Sequence, residues 1–241
     1  MILSLPSAST FSGDIDRLII LVTVLVGVWF FAAQVMFFWL MWRFRAREGV
    51  ASQYVTGKEP HLKRWIDIPH TLILLCDIVI IVAAVRVWVK VKQTMPPADD
   101  TVRVVGQQWT WTFQHSGPDN VLDTADDVWT SDTLHVAVGK TYQFVLQSKD
   151  VVHSFFVPVF RLKQDADPGR DISGWFKATQ TGAYDILCAE ICGIGHGLMG
   201  ARIIIETPEQ HAAWLQQHTV VAEAGATAGD STAAASAGTK N

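Results

Sequence analysis

The sequence predicts two membrane-spanning helices followed by a small all-β domain and a short terminal helix. Three observations carry this. Two long apolar runs occupy the first ninety residues, with a cation-rich connector between them. Beyond residue 100 the apolar residues come in short, alternating, β-rich runs divided by turn residues. Thr207-Pro208 then opens a stretch with the signature of a helix start. The chain has 241 residues, 49% of them hydrophobic, enough for one ordinary domain plus membrane segments. Its net charge of −4 excludes a generally basic nucleic-acid binder, and it carries no nucleic-acid motif.

Residues 1–17 are polar and begin Met1-Ile-Leu-Ser, without the basic stretch and small-residue cleavage site of a secretory signal, so nothing in this stretch predicts cleavage. A hairpin of two spanning helices is expected over 18–95. Leu18 to Trp42 is uninterrupted by charge and exceeds the ~20 residues that cross a bilayer. A second run from Ile68 to Val89 is broken only by Asp77 and Arg86. The connecting loop, 43–65, holds Arg43, Arg45, Arg47, Lys58, Lys63 and Arg64 against Glu48 and Glu59, an excess that places it in the cytoplasm. Arg86, Lys90 and Lys92 at the other end are fewer. Both termini and the later domain are therefore expected outside. A carboxylate in mid-span is expensive in lipid, and Asp77 reads as a hydrogen-bonding contact with a neighbouring subunit.

Pro96-Pro97-Ala-Asp-Asp100 is a linker, 96–100, before a domain expected over 101–221. Thr101–Val105, Gln108–Gln114, Thr133–Val138, Thr141–Gln147, Val152–Val157, Ser173–Ala178, Ala183–Leu187 and Ala201–Glu206 read as strands of a small antiparallel sandwich or barrel. The acidic segment 117–127, with Asp119, Asp123, Asp126 and Asp127, reads as a solvated or protein-contact loop. Calcium is the other reading, although the pattern is not an EF-hand. The terminal helix runs from its cap at Thr207 to about Gln217. The Ala, Gly, Thr and Ser tail, 222–241, is expected to be disordered.

Chemistry concentrates in Cys188-Ala-Glu-Ile-Cys192-Gly-Ile-Gly-His196-Gly-Leu-Met199. Thiolate and thioether donors beside imidazole select copper over hard cations, and two cysteines four positions apart can turn both sulfurs onto one centre from a tight loop. The spacing matches neither a Cys-x-x-Cys redox pair nor a c-type haem attachment site. A structural disulfide is the competing reading. It leaves His196 and Met199 unexplained. Upstream, Gln108-Trp109-Thr-Trp111-Thr-Phe113 places three aromatic side chains on one face of a strand, for which core packing is the default explanation.

The Cys-x-Glu-x-Cys-x-x-x-His-x-x-Met pattern resembles the copper A motif of subunit II of the haem-copper oxidases, the cytochrome c oxidase subunit II family. The resemblance spans roughly Ala8 to Gln217. It implies a cupredoxin-like Greek-key domain holding two coppers. Cys188 and Cys192 would bridge them, His196 and His153 (in Asp150-Val-Val-His153-Ser154) would be terminal ligands, and Met199 and the carbonyl of Glu190 weak ligands. The Glu190 side chain is implied as a ligand of a magnesium ion shared with the catalytic subunit. Trp109 is implied as the surface residue through which electrons enter from cytochrome c, with Thr110 departing from the family's usual aromatic. Leu162 to Arg170 matches a segment near the catalytic subunit. Asp150 and Asp165 are candidates for an acidic patch steering a basic carrier, or are ordinary loop carboxylates.

The implied function is an electron relay in a cytochrome c oxidase, taking electrons from cytochrome c or another periplasmic donor and passing them to the haem of subunit I for oxygen reduction. Implied partners are subunit I, further oxidase subunits and membrane lipids, in a bacterial inner membrane. Where many members carry a glutamate at a proton-channel mouth, three residues before Trp65, this chain has Leu62. That departure keeps a copper A subunit of a nitric oxide reductase as an alternative. A membrane-anchored copper-binding or assembly protein is a third reading. The missing hairpin of nitrous oxide reductase and the lost ligands of quinol oxidases set those two apart.

Overall fold

The computed structural model describes residues 5–51 and 56–219, which fall into two compact units. One, 14–90, contains almost all of α1 (Ser12–Arg43, 32 residues) and α2 (Pro60–Trp88, 29 residues), both long and apolar enough to cross a membrane. Both helices outrun the apolar runs. Helix α2 starts eight residues before Ile68 because Pro60 needs no backbone donor in the first turn, and because Glu59 is held extended before it (φ −68°, ψ 122°). Thr56 donates its hydroxyl to Glu59 at 2.8 Å. Trp29 donates its indole N–H to Cys76 Sγ at 3.4 Å, tying α1 to α2. Asp77 is exposed on α2.

The second unit joins residues 5–13 to 91–219 and is a β-sandwich. Its strands are β1 (Asp100–Gln107), β2 (Thr110–His115), β3 (Val128–Ser131), β4 (Thr133–Ala137), β5 (Thr141–Ser148), β6 (His153–Val157), β7 (Leu162–Ala166), β8 (Ile172–Lys177), β9 (Gly182–Cys188) and β10 (Gly200–Glu206). They form two five-stranded sheets, ordered β3-β2-β1-β5-β8 and β4-β10-β9-β6-β7. The expected all-antiparallel pairing is corrected here. β1 and β5 run parallel, as do β4 and β10, because the chain passes repeatedly from one sheet to the other in a Greek-key, cupredoxin-like arrangement.

Alternation along the strands fills the core, with Val102, Val104, Trp111, Phe113, Leu134, Phe144, Leu146, Phe155, Phe176, Ile186 and Ile203 all buried. Phe155 sits at the centre, edge-on to Trp111 at 5.6 Å and to Phe113 at 6.5 Å. Two strands lie outside the predicted set. β7 (LKQDA) is a polar sheet edge, and β3 is a four-residue edge with an exposed Trp129. Edge strands tolerate charge and so lose the apolar alternation that reveals inner ones.

The polar N-terminal segment is part of this body. Ala8 and Phe11 are buried, Ala8 N–H donates to the Val159 carbonyl at 2.9 Å, and Thr179 N–H donates to the Ala8 carbonyl at 2.9 Å. Phe11 meets Trp175 edge-on at 5.3 Å. At the other end, helix α3 (208–219) opens with a reciprocal cap. Gln210 N–H donates to Thr207 Oγ1 at 3.3 Å, and Thr207 N–H donates to Gln210 Oε1 at 3.1 Å. The tail 222–241 expected to be disordered lies outside the described residues.

The acidic segment is bound to its own domain. Arg103 donates to both carboxylate oxygens of Asp123 at 2.6 and 2.9 Å, and this pairing, with Gln114, pulls the Asp123 carboxyl down to about 2. Asp126 accepts from Thr124, Asp127 from Gln114, and Asp119 from Val121 N–H. Among the described residues, these carboxylates do not form a metal-sized cluster.

Candidate metal centre

Strand pairing brings the first donor to the loop. β6 lies against β9 with Phe155 opposite Cys188, which sets His153, two residues earlier on β6, beside the thiol that ends β9. The loop then leaves β9 at Cys188 and rejoins the sheet at Gly200. Cys188 N–H donates to the Met199 carbonyl at 3.1 Å, closing its neck. Gly193, at φ +120°, makes the turn in a conformation that side chains rarely adopt. A short 3-10 turn, His196–Leu198, returns the imidazole over the thiols.

The donors converge. Cys188 Sγ and Cys192 Sγ are 3.7 Å apart as free thiols. His153 Nδ1 is 4.0 Å from Cys188 Sγ, His196 Nδ1 is 3.6 Å from Cys192 Sγ, and Met199 Sδ is 3.7 Å from Cys192 Sγ. The Glu190 carbonyl lies 3.3 Å from Cys188 Sγ, whereas the Glu190 side chain is exposed. His153, Cys188 and Cys192 form the one cluster, among the described residues, whose donor atoms fall within 4.8 Å of one another. Cys192 and Met199 are buried and His196 is half-buried. Burial and the adjacent Cys188 sulfur push the Cys192 thiol up, so without metal it stays protonated at neutral pH. Two thiols with an imidazole on either side, a thioether and a carbonyl are a donor set that fits soft copper ions.

A supporting shell surrounds these atoms. His153 is fully buried, and its Nε2 faces Asp150 Oδ1 at 2.8 Å, which leaves Nδ1 for the site. Asp150 Oδ2 also accepts Gln108 N–H at 2.8 Å. Burial raises the Asp150 carboxyl, but hydrogen bonds from Gln108, His153 and Val151 outweigh it and hold the group below its usual range. The Gln108 side-chain amide donates to the Cys192 carbonyl at 2.7 Å, and Trp109 Nε1–H donates to the same oxygen at 3.3 Å. Trp109 precedes β2 instead of opening it, and is 38% exposed while Trp111 and Phe113 are buried. The aromatic alternation thus holds for two of the three residues and breaks at the one beside the thiols.

Of the two carboxylates considered for a steering patch, Asp150 is committed to His153, and Asp165 accepts from Ser154 Oγ at 2.7 Å. Both remain exposed, and beside them the surface carries an apolar patch, with Ile191, Ile194 and Leu198 more than four-fifths exposed. Sequence reading missed the bridging roles of Asp150 and Gln108. The Asp-x-x-His spacing was the available sign of the first.

Residues 100–207 match the family described as cytochrome C oxidase subunit II, periplasmic domain. The alternative cytochrome c oxidase subunit 2 of Bradyrhizobium diazoefficiens is 30% identical over 87% of this chain and 82% of its own length. Cytochrome c oxidase subunit 2 of Thermostichus vulcanus is 44% identical over 52% of this chain and 36% of its own. Among solved structures, the periplasmic domain of subunit II of cytochrome oxidase from Bradyrhizobium japonicum aligns with 52% of this chain and 96% of that domain, at 28% identity and a TM-score of 0.47. With a relative matched along most of both chains, and the donor cluster in the domain that the family match covers, this chain belongs to the cytochrome c oxidase subunit II family.

Proposed function

We propose that this chain is the electron-uptake subunit of its oxidase, with His153, Cys188, Glu190 (through its carbonyl), Cys192, His196 and Met199 as the ligands of a copper A centre. The observation that carries this reading is the packing of four further donors against two thiols only 3.7 Å apart. A copper pair held by these residues would supply a one-electron relay between a carrier protein such as cytochrome c and the haem of subunit I. The chain's own residues make the relay stiff. Asp150 fixes the His153 ring, the Met199 carbonyl pins Cys188, and the Cys192 carbonyl is held by Gln108 and Trp109, so the donors have little freedom to move when charge changes. Trp109, exposed and bonded to the Cys192 carbonyl, is the point at which electrons enter.

In this reading the cation-rich connector lies in the cytoplasm, the sandwich faces the periplasm of a bacterial inner membrane, and the exposed Glu190 carboxylate is available to a magnesium ion shared with subunit I. Oxygen is favoured over nitric oxide as terminal acceptor because the matched relatives are named as cytochrome c oxidase subunits. Leu62, in the first turn of α2, then implies that protons enter the complex by a route lacking a carboxylate at that position. Copper loading is expected to give a purple, mixed-valence spectrum and a multi-line EPR signal. Cys192→Ser should abolish both while circular dichroism shows the sandwich still folded. An unchanged spectrum in that variant would refute the ligand assignment.

A further inference from the structure

Two glycines in the loop between the thiols and Met199 are glycine for different reasons. Gly193, at φ +120°, needs to be one for its backbone alone. Gly195 has φ −89° and ψ 7°, a conformation open to any residue type, and its carbonyl accepts the Leu198 N–H of the 3-10 turn whatever its side chain. What a side chain would meet there is Trp109. A Cβ on Gly195 would stand 2.4, 2.6 and 2.8 Å from Cδ2, Cγ and Cε3 of the indole, far inside contact distance with a rigid ring. At Gly193 the same ring presents Cζ2 and Nε1 at 3.2 and 3.3 Å from the corresponding position. The indole therefore lies along the loop backbone from Gly193 to Gly195, and that seat gives Nε1–H its hydrogen bond to the Cys192 carbonyl.

We propose that Gly195 is a positioning residue for electron uptake: its missing side chain seats Trp109 on the loop, one hydrogen bond from the peptide of a copper-bridging cysteine. This rests on the reading of Trp109 as the point where electrons enter. With the ring seated, the path from an exposed aromatic surface to Cys192 runs through the indole N–H and the Cys192 carbonyl. Displaced by a methyl group, the ring loses that contact and a through-space gap replaces it. The three atoms nearest a Cβ at Gly195, outside the adjoining residues, all belong to the Trp109 ring, so the ring and not the donor cluster is expected to yield.

The test is Gly195→Ala in the assembled oxidase, alone and combined with Trp109→Ala. Gly195→Ala should leave the copper optical and EPR spectra unchanged and leave transfer from the reduced centre to the haem at its normal rate. Uptake from the reduced carrier should slow, by up to about a hundredfold, the loss a misplacement of about 1 Å can cause. In the Trp109→Ala background, adding Gly195→Ala should cost nothing further, because the two act as one unit. Normal uptake by Gly195→Ala overturns the proposal, as does an equal extra loss in the Trp109→Ala background. Loss of the copper spectrum in Gly195→Ala overturns it too, since the glycine would then serve the donor loop instead of Trp109. Normal uptake by Trp109→Ala alone would defeat the underlying reading of Trp109 and the proposal with it. Slow uptake by Trp109→Ala beside normal uptake by Gly195→Ala would defeat the Gly195 assignment only.

Discussion

At the scale of single residues, Asp150 ties together two segments that meet at the donor cluster. Its two oxygens serve two segments, one carrying His153 and the other Gln108, and Gln108 in turn reaches the Cys192 carbonyl. Asp150→Asn keeps the volume but offers an amide where His153 Nε2–H needs a charged acceptor. Copper affinity should fall about ten- to a hundredfold, the usual cost of losing such a partner, with altered histidine hyperfine lines. Chelator competition measures the affinity, and wild-type values would show that His153 is held by packing alone. The convergence of these six residues was foreseeable in the sequence because five of them sit within twelve residues and the sixth lies in a recognisable Asp-x-x-His-Ser segment. Asp150's hold on Gln108 and the seat of Trp109 were not, because they depend on which turn meets which loop across the sandwich.

At the scale of elements, eight strands were legible, the edges β4 and β8 among them, whereas the edges β3 and β7 were not, since β3 has only four residues and β7 is mostly polar. Helix α3 was also predicted, but its purpose was not. His211, Trp214 and His218 share one face of it. Trp214 stacks on His135 at 4.2 Å and meets His115 edge-on at 4.9 Å, with His211 and His218 at 5.8 and 4.7 Å. His115 Nε2 faces Thr130 Oγ1 at 3.3 Å, Glu206 bonds both His135 and His211, and the Tyr142 hydroxyl lies 3.5 Å from His211 Nε2. Burial, reinforced by His211, His135 and His218, drives His115 down to about 3, and burial also lowers His211 against the pull of Glu206. Folded, both bind a proton less readily than in the unfolded chain, near 6.5. The folded domain with α3 in place is therefore at its full stability above about pH 6.5 and loses stability as pH falls from there towards 3. Hydrogen exchange across 208–219, corrected for its intrinsic rate, should accelerate over that window in the wild type and far less in His115→Phe. A flat profile in the wild type would refute this account of how α3 is held.

At the scale of the molecule, the chain is a membrane-anchored oxidase subunit whose sandwich carries its own core, so copper should add stability without being needed for folding. Removing copper with a chelator should lower the melting temperature of the sandwich while leaving its β circular dichroism intact; collapse of that signal would show that the metal organises the fold. Asp77 is exposed on α2, and its side chain makes no hydrogen bond among the described residues, which leaves the expected contact with a neighbouring subunit to be tested. Asp77→Leu should loosen this chain's hold on the purified complex, and full retention at raised detergent concentration would argue that its carboxylate contacts nothing there. The strap formed by residues 5–13 has a topological consequence of its own. Because Ala8 and Phe11 are built into the same body as the strands after residue 91, the intervening chain must cross any membrane an even number of times. The parity of the crossing is written into the folded domain, independently of the charges that choose which face is which. A variant lacking α2 would leave the strap and its docking groove on opposite sides of the bilayer.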